Sequence, residues 1–583
     1  MWQQYYNRWK EFADLDNELR QQLQQIENDE KLLEDCFYKY MEFGTGGMRG
    51  EIGPGTNRMN IYTIRKTAEG LARYIEMHGE EAKMRGVVIA YDPRHKSAEF
   101  AMETVKVLGA HGIKSYLFES LRATPQLSFA VRYLQAFSGV IITASHNPKE
   151  YNGFKVYGPD GAQLSSEDAD KITAKVNEVE NELTVIVVDK EYLINQGLLE
   201  IIGEKVDEAY LHQINKLTLN RDVIKEIADD FCIVYTPLHG AGNIPVRKGL
   251  EAIGFKHIEV VKEQELPDPE FSTVKYPNPE EHSAFEIAIQ YGEKHNADIL
   301  LATDLDADRV GVAVRNKEGK YQVLTGNQIG ALLLDYLIRE NKKQGTLKDD
   351  ATVIKTIVTS EMGRDIAERH ELKTIDTLTG FKYISEQIQL FEETGERSFL
   401  FGYEESYGYL IGDFVRDKDA IQACLLISEV AAYYKSNGKT LYEGLLELYE
   451  TYGYYKEDLI SVTLKGKDGV QQMLAILENF RNDPPKEFNG RKVLVIEDYQ
   501  NRLRTYTESK VSEKITLPQS NVLKYKLEND AWVCIRPSGT EPKIKFYFGV
   551  KENTYNKSLN TLEYLKTAVM DRVDKIINIH QKV

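Results

Sequence analysis

The most chemically pointed run in this sequence is Thr303-Asp304-Leu-Asp306-Ala-Asp308-Arg309. Carboxylates at i, i+2 and i+4 in a tight turn can converge on one hard cation such as Mg²⁺. A calcium loop of the EF-hand type is excluded, because counting from Asp304 puts Arg309 where Gly is needed and Arg315 where Glu is needed. The three like charges directly follow the apolar run Ile299–Ala302 and would repel one another unless something neutralised them. The spacing therefore predicts a metal site.

A second cluster, Thr143-Ala-Ser145-His146-Asn147-Pro148, follows Gly139–Ile142 and continues into Tyr151-Asn-Gly-Phe-Lys155. A hydroxyl ringed by His, Asn and Thr in a loop closed by proline suits a nucleophile or a phosphate acceptor. A polar turn capping a strand would have the same composition. A phosphorylated Ser145 would need cations, and His146, Lys149 and Lys155 lie near it in sequence.

Three further runs carry polar chemistry. Arg536-Pro-Ser538-Gly539-Thr540-Glu-Pro-Lys543 could wrap a phosphate with a guanidinium, two hydroxyls and exposed backbone N–H groups, although surface turns have a similar make-up. Gly402-Tyr-Glu404-Glu405-Ser406-Tyr-Gly408 suits hydrogen bonding to sugar hydroxyls, and an acidic helix N-terminus would read the same way. Phe43-Gly-Thr45-Gly-Gly-Met-Arg49-Gly50 is a glycine-rich turn presenting one Arg, and it lacks the GK[ST] of a Walker loop. A nucleophilic hydroxyl, a divalent metal, a separate phosphate clamp and a carboxylate pair together imply a phosphosugar site. Spread over four regions, they would have to meet in a cleft between all four.

The elements that must position these groups are visible as short apolar runs alternating with helical periodicity. The runs include Val87–Ala90, Val140–Ile142, Ile233–Tyr235, Ile299–Ala302, Val353–Val358 and Phe399–Phe401. Between them, Ile64, Ala68, Leu71, Ala72 and Ile75, and again Ile329, Leu332, Leu333, Tyr336 and Leu337, recur at helical spacing. Such alternation predicts an α/β fold with mixed sheets. The chemical runs sit just after the strands, where ligands gather in open α/β sheets. The expected organisation is an N-terminal helical arm over 1–39 and three similar α/β domains over 40–206, 207–318 and 319–454, the last two divided at the turn 317–320. A C-terminal α+β domain follows over 455–583. The arm is read as amphipathic from Trp2, Tyr6, Trp9, Phe12, Leu15, Leu19, Leu23 and Ile26.

Bulk composition narrows the function. At 583 residues the chain exceeds a single core, and its 42% hydrophobic and 28% charged residues are those of a soluble globular protein. Lys+Arg 73 against Asp+Glu 91 leaves a net charge of −18, which argues against nucleic acid or an anionic membrane as a general partner. The four scattered cysteines form no CxxC pair and read as reduced residues. No membrane span or signal peptide is evident, so a cytoplasmic location is expected.

FGTGGMRG, TASHNP, DLDADR, GYEES and RPSGTEPK, in that order from about residue 40 to the end, resemble the signature motifs of the α-D-phosphohexomutases. Tyr91-Asp-Pro-Arg94, Tyr235-Thr-Pro-Leu-His239-Gly, Thr377-Leu-Thr379-Gly380-Phe-Lys382 and Asp413-Phe-Val-Arg416-Asp-Lys418-Asp are similar to the branch holding phosphoglucomutase and phosphopentomutase. The resemblance implies four domains around a central cleft and a phosphoryl group carried on Ser145. It implies one Mg²⁺ held by Ser145, Asp304, Asp306 and Asp308, and a glucose 1,6-bisphosphate intermediate that turns end for end, helped by hinge motion of the fourth domain. Arg49, His146 and Lys155 would border the phosphoserine, with His146 or Lys155 moving protons. Arg309, Thr379, Gly380 and Lys382 would contact substrate, Glu404 and Ser406 would read sugar hydroxyls, and Arg536, Ser538, Gly539 and Thr540 would clamp the non-reacting phosphate. The expected activity is α-phosphoglucomutase, working on small sugar phosphates as a monomer or homodimer. Phosphopentomutase, phosphomannomutase and glucose-1,6-bisphosphate synthase share the chemistry, and a serine-dependent phosphatase or a non-catalytic sugar-phosphate sensor are rivals of other classes. Phe414 departs from the family pattern, standing where several relatives carry His. No role of that His carries over.

Overall fold

A computed structural model describes residues 2–44, 46–464, 466–537 and 543–580. The described chain divides into two compact units, one of residues 1–354 with 380–442 and one of residues 355–379 with 443–583.

The first unit opens with three helices, Trp2–Glu11, Asn17–Gln25 and Glu30–Phe37, over the stretch read as a helical arm. Asp16 and Asp29 cause the breaks. Each accepts a hydrogen bond from the backbone N–H three residues on, a helix-starting cap that interrupts the preceding turn. Trp9, Leu19, Leu23, Leu33 and Phe37 pack with Tyr62 and Leu183, so the arm docks on its own chain.

A mixed six-stranded sheet follows, in the order Gly47–Glu51, Tyr151–Tyr157, Ser138–Ile142, Val87–Tyr91, Ser115–Phe118 and Leu199–Ile202. The last four strands run parallel and the first two are antiparallel additions. Every residue of Ser138–Ile142 is buried, as a strand covered on both faces requires. The five-stranded sheet after it repeats the plan. Its order is Tyr321–Val323, Val310–Arg315, Ile299–Thr303, Cys232–Thr236 and His257–Val260, with a parallel centre and an antiparallel edge. The turn at 317–320 joins two strands of this sheet. The second sheet therefore runs past the expected boundary at 318 to Val323. The rest of the unit contains the hairpin Ser398–Glu404 and Gly408–Leu410 with the helices Gly326–Gln344, Phe381–Thr394 and Ala420–Ser436.

The second unit is built on an antiparallel sheet. Its path runs Tyr454–Thr463, Lys543–Glu552, Trp532–Pro537, Leu523–Leu527, Arg491–Asp498, Leu503–Tyr506 and Ser512–Lys514. Helices Gly466–Asn482 and Tyr555–His580 cover it, and Leu562, Leu565, Val569 and Val573 of the last helix close the core against Phe546 and Phe548. Among the described residues no helix is long and apolar enough to cross a membrane.

Candidate active site

The metal turn and the serine loop meet inside the first unit. Ser145 Oγ donates to Asp304 Oδ2 at 2.8 Å across 159 positions of sequence, and His146 Nδ1 lies 3.1 Å from the same hydroxyl. Ser145 is nearly fully buried and has φ +52°, a left-handed conformation rare for a residue with a side chain. Its N–H is taken by Thr143 Oγ1 at 2.8 Å. Gly153, on the neighbouring strand, permits this loop to sit close, since a Cβ there would lie 2.4 Å from the Thr143 carbonyl.

In the aspartate turn, Asp304 Oδ1 accepts the N–H groups of Asp308 and Arg309, both at 3.1 Å. Its other oxygen is thereby left to face Ser145. Gly240 of the TPLHG run packs directly against this turn, where a Cβ would come 2.7 Å from the Leu305 Cα. Asp304 and Asp306 are wholly buried and Asp308 nearly so. Among the described residues these three are the one group of potential ligands with atoms all within 4.8 Å of one another.

Their electrostatics are uneven. Burial, then repulsion from Asp308 and Asp306, pushes the Asp304 carboxyl well above its ordinary range. Burial acts the same way on Asp306, but Lys155 at 3.0 Å, Thr124 at 2.9 Å and the charge of Lys418 outweigh it and hold Asp306 low. Asp306 Oδ1 and Asp308 Oδ1 are buried without any hydrogen-bond partner. Buried polar atoms are rarely left so. An oxygen-only set with two vacant, dehydrated acceptors fits a hard divalent cation.

Cations ring the turn. Lys418 Nζ lies 3.1 Å from Asp308 Oδ2 and 3.3 Å from Asp417 Oδ1. Arg309 pairs with Glu280, and Glu404 is close enough to strengthen the charge on both Arg309 and Lys418. Arg49 Nη1 donates to Asn147 Oδ1 at 2.8 Å, beside the serine loop. Two expectations change here. Burial, then Arg309 and Arg49, drives His146 well below its usual range, which disfavours its cationic form. Lys149 is turned outward to Glu270 at 2.5 Å.

The remaining sequence candidates are placed as follows. Lys382 donates to Ser166 at 2.9 Å, and Glu404 Oε1 accepts the Gly380 N–H at 2.9 Å. Ser406 is half-buried in the turn between the hairpin strands. In the second unit, Thr379 is half-buried and Arg536 is the last residue but one of the strand Trp532–Pro537. Thr45, Ser538, Gly539 and Thr540 lie outside the described residues. Phe414 joins an aromatic cluster, with ring centroids 6.1 Å from Phe129 and 6.5 Å from Tyr210. Packing explains the residue that stands in place of His.

Sequence reasoning missed Thr124, Lys418, Asp417 and Glu280 as members of the site. Lys418 lay in a recognised stretch but was given no role, whereas Thr124 sits in an ordinary Thr-Pro helix start that carries no chemical signal.

This geometry joins a buried serine, a carboxylate triad and several cations within one α/β unit. Models of the phosphoglucomutase/phosphomannomutase family match the chain in four successive stretches. These are alpha/beta/alpha domain I over residues 40–183, domain II over 208–319, domain III over 325–452 and the C-terminal domain over 459–557. The chain belongs to this family, whose members are isomerases that act by phosphoryl transfer. It is 40% identical over 525 residues to a phosphoglucomutase of Staphylococcus haemolyticus, covering 90% of this chain and 93% of the relative. It is likewise 40% identical over 517 residues to a phosphoglucomutase of Staphylococcus aureus strain USA300, covering 88% and 90%. Among solved structures, parafusin from Paramecium superposes with a TM-score of 0.68 at 18% identity over 92% of this chain and 96% of that one. A family protein from Burkholderia thailandensis gives 0.64 at 16% over 91% and 97%. At those identities the structures speak for the fold.

Proposed function

We propose that this protein interconverts α-D-glucose 1-phosphate and glucose 6-phosphate through a phosphorylated Ser145 and a glucose 1,6-bisphosphate intermediate. The observation that carries the reading is the buried contact of Ser145 Oγ with Asp304, beside two carboxylate oxygens that lack partners. The choice of glucose is supported by relatives called phosphoglucomutase that match along nine-tenths of the chain.

In the forward half-reaction the phosphoryl group leaves Ser145 Oγ for the free 6-hydroxyl of glucose 1-phosphate. The hydroxyl proton goes to a nearby base, and the serine oxygen becomes an alkoxide that must be stabilised or protonated. After the bisphosphate reorients, Ser145 takes back the phosphoryl from the 1-position and glucose 6-phosphate departs. Lys155, anchored to Asp306, and His146, 3.1 Å from the Ser145 hydroxyl, would move these protons. Asp304, Asp306, Asp308 and an oxygen on Ser145 would hold Mg²⁺, which when bound offsets charge on the transferring phosphoryl. Arg49 borders the serine loop. Arg309 and Lys382, with the Thr379–Gly380 turn, would meet the substrate, and Glu404 and Ser406 would read its hydroxyls. Arg536, Ser538, Gly539 and Thr540 would hold the phosphate that does not react. Burial of the serine favours return of the phosphoryl over its loss to water. The cytoplasm is the compartment that fits such substrates, with a monomer or homodimer as the working form.

Intact-protein mass spectrometry after loading with glucose 1,6-bisphosphate is the test. The expected result is one phosphate on the wild type and none on Ser145→Ala, with mutase activity abolished. Near-normal turnover in Ser145→Ala would sink the mechanism. A large kcat/KM preference for ribose 1-phosphate over glucose 1-phosphate would overturn the sugar assignment alone.

A further inference from the structure

Arg94 lies in the Tyr91-Asp-Pro-Arg94 stretch, which the mechanism above does not use. Its side chain is wholly buried. Nη1 donates to the carbonyls of Pro148 at 2.7 Å and Tyr151 at 3.0 Å, while Nη2 donates to those of Ser145 at 2.7 Å and Asn147 at 2.5 Å. Nε lies 3.3 Å from Asp92 Oδ2. A guanidinium has five N–H donors; the four on Nη1 and Nη2 are taken by these carbonyls, and Nε faces Asp92 as an ion pair without a hydrogen bond. With the side chain wholly buried, no donor is open to a phosphate. Arg94 is therefore built into the loop and is not a substrate cation.

What it does to the loop follows from peptide geometry. In a trans peptide the N–H points opposite to the C=O. Turning the Ser145 and Pro148 carbonyls onto Arg94 turns the N–H groups of His146 and Lys149 away from it. The same contacts hold Ser145 at φ +52°, which costs on the order of 1 kcal/mol for a residue with a Cβ and persists only where the surroundings over-determine it. The clamp is itself fixed. Asp92 Oδ1 accepts from Ser97 Oγ at 2.7 Å and from the Arg94 N–H at 3.0 Å. The Phe271 ring covers the guanidinium with its centroid 5.1 Å away. Next to it, Glu270 takes both His95 at 2.7 Å and Lys149 at 2.5 Å.

We propose that Arg94, oriented by Asp92, is a positioning residue for phosphoryl transfer: it sets the backbone of residues 145–151 so that Ser145 Oγ faces the aspartate turn. This rests on Ser145 as the phosphoryl carrier. Misplacing a reacting atom by about 1 Å can cost about 10²-fold in rate, and the sugar phosphate is bound by other residues.

The test measures kcat and KM for glucose 1-phosphate in Arg94→Met and Arg94→Lys, corrected for the folded fraction from thermal melts. Arg94→Met is expected to lower kcat about 10²-fold with KM changed less than about threefold, and Arg94→Lys to recover part of the loss. A folded Arg94→Met with wild-type kcat, or losses that vanish after correction for folding, overturns the proposal. Should Arg94→Met not fold, Arg94→Lys carries the test, with kcat lowered about tenfold at constant KM expected and wild-type kcat overturning it. Ser145→Ala run alongside separates the two readings. If it is active, both fall; if it is inert beside a wild-type-like Arg94 variant, only the clamp does.

Discussion

Two buried clusters of opposite charge, one in each unit, are built from the same residue types and differ in how completely they are paired. In the second unit, Lys355 Nζ lies 3.1 Å from Glu361 Oε1 and 3.0 Å from Asp376 Oδ1. Arg364 covers the other oxygen of each, at 2.8 Å and 2.6 Å. Every carboxylate oxygen there faces a cation within 3.1 Å, although Asp376 Oδ1 makes its contact as an ion pair without a hydrogen bond. Burial would raise both acids, but Lys355 and its neighbours outweigh it and hold both low. In the first unit, Asp306 and Asp308 each keep one buried oxygen with no hydrogen-bond partner, and Asp304 is pushed up by burial and like charge. A cluster whose charges are matched makes the loss of any one member costly. One that leaves dehydrated acceptors is made to receive something, and it weakens the fold until it does.

Substitution should therefore move activity and stability in opposite proportions at the two clusters. The largest effect is expected for Asp304→Asn, which keeps the oxygen that caps Asp308 and Arg309 but removes a repelling charge. Its kcat should fall by about 10³-fold, while its melting temperature in EDTA stays level or rises. A variant that melts far lower and still turns over would erase the contrast.

Lys355→Met is the mirror case. It removes the buried cation that Glu361 and Asp376 share, leaving both half-buried acids to Arg364 alone, and should cost about 1–3 kcal/mol in denaturant unfolding. Activity per folded molecule should fall far less than in Asp304→Asn. An equal loss of activity would mean that this cluster, too, serves the reaction.

The contrast also explains what the sequence could show. Local patterns were readable. Apolar runs such as Val140–Ile142 and Ile299–Ala302 mark buried strands because both faces are covered, and the aspartate turn is contained in five residues. Pairing between distant residues was not readable. Ser145 meets Asp304 across 159 positions and Thr124 meets Asp306 across 182, and no local spacing encodes either contact. Arg94 reads in the sequence as one more family residue, and only its four contacts to backbone carbonyls set it apart. The arm's division into three helices was not readable for a different reason. Its apolar spacing continues through Asp16 and Asp29, so periodicity hid two caps that composition alone would have flagged.

A third cluster, centred on a histidine, tests how far pairing alone sets the size of these effects. His111 sits between Glu69 at 2.8 Å and Glu76 at 2.9 Å. Its pKa is raised chiefly by the Glu69 hydrogen bond against the opposing effect of burial, and Glu69 is lowered chiefly by the same bond. A raised His contributes stability that is full below its unfolded pKa of about 6.5 and is lost as pH climbs through the folded value. A lowered Glu contributes above its unfolded pKa of about 4.3 and loses that as pH falls through the folded value. The gain is thus full between about pH 4.3 and 6.5 and fades at higher pH. His111→Gln should cost about 0.5–1 kcal/mol at pH 6 and much less at pH 9, read from paired thermal melts. A gap that stays constant across that range would mean that packing, not charge, holds His111 in place.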